Sequence, residues 1–343
     1  MNKSVYGIIV LGLLLIHILI NLDLFFKSKM SEYTDSNSIL DSDTFSSNIA
    51  PNKYQDLLGV GIDVDWAKTE KGRKAYNSID PFNFKERGFS HVRIRVKDNV
   101  DTLLLRHLHR IVDDSLKVGL IPILAYQAKD FKMNPNRENM QKAVNWWSTV
   151  SKSFKGYSPK LSFDLIIEVT DELNKNPEIL NEFYEHTVSE IRKTNPERNI
   201  FISPVMRSAP ENLHLLKIPS KSNKHLLAEW HMYASGPSKN NQKKIWTTGT
   251  ETEKELILSK IHSAQLWSQQ NRIKTWVGAW MPGDYNRDDS YRISEQVHFA
   301  SFVAEELKRA KIPFAINSDT KFYDRETHKW IPKMSLILDA ILK

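Results

Sequence analysis

The feature that most constrains the fold is a regular alternation of short apolar runs with helix-period segments along residues 53–343. Short aliphatic runs predict strands, and apolar residues recurring every three or four positions predict helices. The predicted strands are 57–64, 91–96, 121–126, 165–169, 199–203, 226–233, 274–278 and 313–317. The predicted helices are 81–88, 100–119, 136–154, 176–194, 210–216, 252–270, 294–310 and 333–342. For the helix 294–310, Ser294 is the expected N-cap and Glu295 lies in the first turn.

Eight strand–helix units in about 290 residues have the count and size of a (β/α)₈ (TIM) barrel. A doubly wound open sheet is the alternative, but no glycine-rich phosphate loop follows an early strand. In a barrel, the residues that follow the carboxyl ends of the strands meet at one rim. We therefore expect the functional residues on this rim.

The N-terminus predicts a membrane anchor. Residues 5–20 are almost entirely apolar, 22–26 extend the run, and about 20 such residues can cross a bilayer. No small-x-small cleavage pattern follows, which favours an uncleaved signal anchor over a removed signal peptide. We expect an anchor at 1–30, a Ser/Asp/Asn-rich linker at 31–53 and an extracytoplasmic barrel at 54–343; a secreted or a cytoplasmic domain are the alternatives.

Composition narrows the possible classes of function. The chain carries 48 basic and 41 acidic residues, a net charge of +7, but the basic residues are scattered and form no arginine-rich run. This pattern argues against a nucleic-acid partner. The absence of cysteine excludes disulfides, thiolate metal sites and a cysteine nucleophile.

Two predicted strands carry the candidate catalytic carboxylates. The run 165–173 ends in Asp171 and Glu172, which either have a catalytic task or cap the following helix. Alternation along the strands places Glu172 on one face with residues 168 and 170, and Glu229 on one face with residues 231 and 233. Two carboxylates flanking a bond are what glycoside hydrolysis needs, and Arg93 can hold one of them ionised. The alternative for Glu229 is a structural acid paired with Arg93 or Arg95 deep in the barrel.

Aromatic and polar residues on the expected rim would contact a sugar. Trp66, Trp246 and Trp280 are candidate stacking surfaces, with packing in the core as the alternative for each. Polar candidates for substrate binding are Arg93, Gln127, Asp171, His231, Tyr233 and Asp284. Asp284 follows Pro-Gly, so a turn is the competing interpretation for it.

From residue 56 to 330 the chain resembles the family 5 glycoside hydrolases, which are cellulase-like (β/α)₈ enzymes. The segment 88–96 resembles the second-strand motif, in which the arginine matching Arg93 supports the nucleophile. The segment 165–173 resembles the fourth-strand motif, usually Asn-Glu-Pro, so that Glu172 matches the general acid/base and Asp171 replaces the asparagine. His231 and Tyr233 resemble the His-x-Tyr pair near the nucleophile. The resemblance implies hydrolysis of O-glycosidic bonds in a polysaccharide such as a β-glucan, by a monomer without a cofactor or metal.

The departures from the family pattern concern the chemistry itself. Ala279 stands where the seventh-strand motif has its nucleophilic glutamate, and Tyr126-Gln127 replaces the histidine pair after strand three. Alanine cannot form a glycosyl–enzyme bond, so the standard retaining mechanism does not carry over.

Three hypotheses remain. Glu229 or Asp284 supplies a second carboxylate, and a distant base would favour inversion. Alternatively, the barrel binds glycan without cleaving it. A metal site at Asp171, Glu172 and His231 is the third, and these residues lack tight ligand spacing.

Overall fold

The computed structural model describes residues 48–219, 223–232, 246–283 and 291–343. Within them, eight parallel strands form a closed barrel in chain order, with β8 pairing with β1. The strands are β1 Val60–Ala67, β2 His91–Val96, β3 Ile121–Tyr126, β4 Ser162–Asp164, β5 Ile200–Ile202, β6 Leu226–His231, β7 Thr275–Trp280 and β8 Phe314–Ile316. The predicted (β/α)₈ barrel is therefore confirmed.

Helices surround the barrel. They are α1 Pro51–Leu58, α2 Glu70–Ala75, α3 Ile79–Arg87, α4 Thr102–Lys117, α5 Lys129–Met133, α6 Arg137–Ser153, α7 Pro177–Arg192, α8 Val205–Ser208, α9 Glu251–Asn271, α10 Ile293–Arg309 and α11 Ser335–Leu342. Short 3₁₀ helices lie at Asp171–Lys175, Pro210–Leu215, Asn223–His225, Asp319–Lys321 and Pro332–Met334, and a hairpin of β9 Tyr323–Asp324 and β10 Lys329–Trp330 follows β8.

Local signals explain several helix starts. The side chain of Asp101 accepts a hydrogen bond from the backbone N–H of Leu104 at 2.7 Å and caps α4. The prediction for α10 is wrong by two residues, because the N-cap is Arg292 rather than Ser294. Glu295 does lie in the first turn, where its carboxylate accepts from the backbone N–H of Arg292 at 2.8 Å.

The fourth strand is shorter and earlier than predicted. β4 ends at Asp164, and the backbone of Glu168 has a φ of 50°, which is incompatible with a strand. The run 165–167 is nevertheless buried, and Leu165 donates to the carbonyl of Phe201 at 3.2 Å. Its apolar character reports burial, and burial alone does not decide the backbone conformation. The expected alternation of residues 168, 170 and 172 on one strand face is therefore wrong.

Helix α1 packs against the barrel where the strands begin. The hydroxyl of Tyr54 donates to Ser162 Oγ at 2.8 Å, and its ring packs against Phe201. The side chain of Asn199 donates to the carbonyl of Ile49 at 2.8 Å. Packed structure therefore begins before residue 54 and includes the end of the segment expected to be a linker.

Where the strands begin, the barrel interior is filled by the buried side chains of His91 and Trp276. His91 Nδ1 donates to the carbonyl of Leu58, so its Nε2 accepts from Trp276 Nε1 at 3.1 Å. Burial lowers the pKa of His91 to about 4, which agrees with the neutral form. A Cβ at Gly61 would lie 2.2 Å from this ring, so the position requires glycine.

The predicted anchor at 1–30 lies outside the described residues. Among the residues that are described, no helix combines the length and the apolar character needed to cross a membrane.

Candidate active site

A buried charge network around Arg93 occupies the barrel interior. Arg93 projects from β2, and its Nε and Nη2 donate to the two carboxylate oxygens of Asp63 on β1, both at 2.7 Å. Its Nη1 donates to Asp164 on β4 at 3.2 Å and to Glu229 on β6. Glu229 also contacts Nε2 of His231, two residues further along β6. Strands one, two, four and six thus converge on one guanidinium.

The network is enclosed. The side chains of Arg93, Asp63 and Glu229 have no solvent exposure, and the Arg93 guanidinium lies 5.6 Å from the Trp276 ring centroid. Three carboxyl groups around one guanidinium would leave excess negative charge, which is costly to bury. The pKa values of two of these carboxyl groups, those of Asp164 and Glu229, are accordingly raised.

The pKa values follow this environment. Burial raises the pKa of Glu229 to about 7, although the positive charge of Arg93 opposes the rise. Burial and the neighbouring Glu229 also raise the pKa of Asp164 well above its ordinary value. For His231, burial and the charge of Arg93 lower the pKa to about 3, so its imidazole is neutral. Near neutral pH Asp164 is therefore protonated, Glu229 is divided between its protonated and ionised forms, and the imidazole of His231 is uncharged.

Glu229 lies against the backbone of β7 at Gly278, the residue before Ala279. A Cβ at Gly278 would be 1.9 Å from Glu229 Oε1, so the carboxylate lies against the backbone of β7. Ala279 is the partner of His231 in the strand register, and Glu229 pairs one level deeper, with Trp276. The pairing with Arg93 is what the structural alternative for Glu229 predicted. The pairing is also what a supported catalytic carboxylate needs, so it does not decide between them.

Glu172 lies at the rim and not in the interior. It belongs to the 3₁₀ helix Asp171–Lys175, its side chain is 57% exposed, and its carboxylate accepts from Lys175 Nζ at 2.8 Å. Asp171 is also exposed and accepts from the hydroxyl of Thr170 at 2.6 Å. Both acids therefore lie in the first turn of a 3₁₀ helix, but neither side chain caps it, since the N-cap is Thr170 and the helix has no side-chain cap hydrogen bond.

Two residues at the rim were not recognised in the sequence. Lys132 on α5 donates to Gln127 Oε1 at 3.1 Å, which places the predicted residue Gln127 at the rim, half-buried. Arg207 on α8 pairs with Glu168 at 3.2 Å. Neither lies in a motif, and no sequence pattern marks them. Asp164, by contrast, interrupts the apolar run 161–167, and a lone acid in such a run is a usable signal.

The three tryptophans proposed as stacking surfaces lie in the core. Trp280 is 1% exposed and packs edge-on against Phe299 and Phe314. Trp66 packs against Tyr76 and Phe84, and Trp246 against His298, Phe299 and Phe302. Because their faces are covered, the core alternative is correct for all three in this structure.

Tyr233 and Asp284 lie outside the described residues. Asp171 and Glu172 are exposed whereas His231 is buried, and within the described ranges no group of three or more His, Asp or Glu residues could hold a metal ion.

A second polar network lies near the ends of β1 and β8. Arg95 donates to Asp65 at 2.8 Å and to Asn317 at 2.8 Å, and Asp319 accepts from the backbone N–H of Asp65 at 3.1 Å. Burial raises the pKa of Asp319 to about 6. These side chains connect the two strands at which the barrel closes.

Comparisons with known proteins agree with the (β/α)₈ fold. The model of the cellulase family (glycosyl hydrolase family 5) matches residues 59–317. A solved endoglucanase is 21% identical, with a TM-score of 0.72 over 83% of this chain and 98% of the other. Thermotoga maritima Cel5A, solved with mannotriose, is 19% identical, with a TM-score of 0.74 over 85% of this chain and 99% of its own. The cellulose synthase subunit Z (CcsZ) of Clostridioides difficile is 20% identical, with a TM-score of 0.71 over 83% of this chain and 100% of its own.

No curated protein matches the sequence significantly. At these identities the likeness to solved structures shows the fold alone. The family match covers most of the chain, including the strands that carry Arg93, Glu229 and Ala279. The chain therefore belongs to glycosyl hydrolase family 5, the cellulase family.

Proposed function

We propose that the chain hydrolyses O-glycosidic bonds of a β-glucan-like polysaccharide that binds across the carboxyl ends of the strands. Glu172 is the proton donor and Glu229 is the second carboxylate. The substrate class is supported by the family match and by a structural relative solved with cellobiose and with mannotriose.

One observation carries the proposal. A single carboxylate, that of Glu229, contacts both Arg93 and His231 beside Ala279. By resemblance to the family, the residues at these two positions support the nucleophile. Here they bind a carboxylate that comes from β6, while the usual position on β7 holds no acid. Arg93 and His231 thus contact a carboxylate on β6 in place of the one that the family pattern has on β7.

The depth of Glu229 favours an inverting reaction. Glu229 pairs one level below the pairing of His231 with Ala279, so an attacking water molecule would need a space between its carboxylate and a sugar at the rim. A water molecule in that space would attack the anomeric carbon while Glu229 takes one of its protons. Glu172 would give its proton to the leaving glycosidic oxygen as the C–O bond breaks. The products are two saccharide chains, and the new reducing end has the inverted configuration.

Binding without cleavage is the second candidate, and the burial of Glu229 favours it. The Glu229 side chain has no exposure, and Glu172 forms an ion pair with Lys175. If these states persist when glycan is bound, neither acid reaches the bond. The barrel would then act as a carbohydrate-binding domain.

The experiment uses the purified full chain with a panel of β-glucan, mannan and xylan. Glu172→Gln and Glu229→Gln are compared with Glu138→Gln, because Glu138 is also an exposed glutamate paired with a lysine but lies on α6. We expect cleavage by the unmutated chain and by Glu138→Gln, and loss in both other variants. Cleavage that persists in Glu229→Gln would refute its role, and binding without cleavage by the unmutated chain would establish the second candidate.

We also propose that residues 5–26 tether the barrel outside the membrane, as the apolar run indicates. Protease added to intact cells should degrade the barrel while the N-terminal segment stays in the membrane fraction. Protection of the barrel until the cells are lysed would contradict this location.

A further inference from the structure

Lys132 is a buried lysine whose three ammonium N–H groups all have hydrogen-bond acceptors. It lies on α5, is 5% exposed, and donates to Gln127 Oε1 at 3.1 Å, to the carbonyl of Ile167 at 2.9 Å and to that of Glu168 at 3.2 Å. An ammonium has three donors, and here each one has an acceptor. Such an arrangement orients the groups that accept from it.

The sheet holds the beginning of the segment that Lys132 contacts, because Leu165 donates to the carbonyl of Phe201 at 3.2 Å and Ile167 to that of Tyr126 at 2.9 Å. β4 ends at Asp164, and Glu168 and Asp171 have φ values of 50° and 55°, a conformation that non-glycine residues adopt at a cost. A segment with this backbone stays in place only when its surroundings impose it. It leads directly into the 3₁₀ helix that carries Glu172.

A second element holds the same segment from β5. The backbone N–H of Arg207 donates to the carbonyl of Val169 at 2.7 Å, and its guanidinium pairs with Glu168 at 3.2 Å. The backbone N–H of Met206 donates to Asn174 at 2.6 Å. Residues 168–174 are thus fixed between α5 and α8 by side-chain and single backbone bonds, and the bond from Lys132 to the carbonyl of Ile167, where this stretch begins, is buried.

We propose that Lys132 is a positioning residue that holds the segment 165–172 and thereby places Glu172 at the rim. The inference rests on the proposed function only in taking Glu172 as the proton donor. Glu168, Asp171 and Glu229 face the ammonium with negative charge, and Arg93 faces it with positive charge. Burial lowers the pKa of Lys132 to about 8, so the segment should loosen in alkaline solution as the ammonium is lost.

The test replaces the ammonium and measures the segment directly. Lys132→Met keeps the length of the side chain, and Lys129→Met is the matched control because Lys129 is exposed on the same helix. Hydrogen exchange with mass spectrometry should show exchange in peptides covering 165–175 that is at least tenfold faster in Lys132→Met than in Lys129→Met. Equal exchange in the two variants would overturn the inference.

The unmutated chain supplies a second measurement if Lys132→Met does not fold. In the unmutated chain, hydrogen exchange in peptides covering 165–175 should become faster between pH 7 and pH 9. This increase should exceed the increase in peptides of α7, after both are corrected for intrinsic exchange rates. No excess would overturn the inference.

Kinetics separate this inference from the proposed function. If cleavage occurs, Lys132→Met should lower kcat with little change in KM, since the rim remains and only Glu172 is displaced. If no variant cleaves glycan, the proposed function fails, while the exchange data still decide the role of Lys132.

Discussion

Replacing Glu229 by glutamine should change how the stability of the protein depends on pH. Glutamine has the size of the protonated acid, and its amide oxygen can take the place of the Glu229 oxygen that contacts both Arg93 and His231. The two proteins differ in one proton that the buried carboxyl group can lose. The comparison therefore measures the cost of ionising Glu229 inside the barrel, together with the effect of that charge on the neighbouring Asp164.

The expected magnitude follows from the raised pKa. Burial raises the pKa of Glu229 from 4.5 to about 7, so the unfolded chain loses this proton before the folded chain does. The folded state then binds more protons than the unfolded state, and the free energy of unfolding falls as the pH rises from 4.5 to about 7. At about 1.4 kcal/mol per pH unit, the fall is of the order of 3 kcal/mol. The Glu229→Gln variant lacks this fall in the free energy of unfolding. The substitution also removes the negative charge that helps to raise the pKa of Asp164.

The assay is urea denaturation of both proteins at pH 4.5, 6 and 8. The stability of Glu229→Gln relative to the unmutated chain should rise by a few kcal/mol across this range. Glu138→Gln is the control, because its exposed carboxylate is screened by water. A difference between Glu229→Gln and the unmutated chain that stays constant with pH would refute the reasoning.

Three further substitutions test the packing that supports the site, each measured by urea denaturation. Gly278→Ala places a Cβ 1.9 Å from Glu229 Oε1 and should cost about 1–3 kcal/mol; an unchanged midpoint would contradict the close approach. Trp276→Phe removes the donor to His91 and should cost at least about 1–3 kcal/mol, and a neutral result would argue against that bond. Asp101→Ala removes a helix cap and should cost about 1 kcal/mol, whereas Asp101→Asn should cost much less; equal costs would contradict capping.

The barrel was predictable because the spacing of apolar residues differs between most of its helices and most of its strands. Helices such as α4 and α6 carry a continuous apolar face, β3 is a short apolar run, and β2 alternates apolar residues with polar ones. The segment 165–169 was misread because burial and strand structure give the same apolar pattern. Its backbone is set by bonds to Lys132 and Arg207, which come from distant parts of the chain and leave no local trace.

The candidate site was predictable in part, since position along a strand limits where a side chain can lie. Glu229 and His231 share a face of β6, and the structure brings them together with Arg93. The tryptophans were misassigned because composition cannot distinguish a ring that lines a cleft from one that fills the core. Trp280 ends a strand at the expected rim, yet the side chains of α10 and β8 cover it.

The central claim is that Glu229 on β6 has replaced the carboxylate missing at Ala279. The most direct test is proton NMR of the first product that the full chain releases from a β-glucan, recorded before the anomers equilibrate. The account predicts a product whose new reducing end has the inverted configuration, and no such product from Glu229→Gln. Retained configuration, or a product that forms equally well without the Glu229 carboxylate, would contradict it.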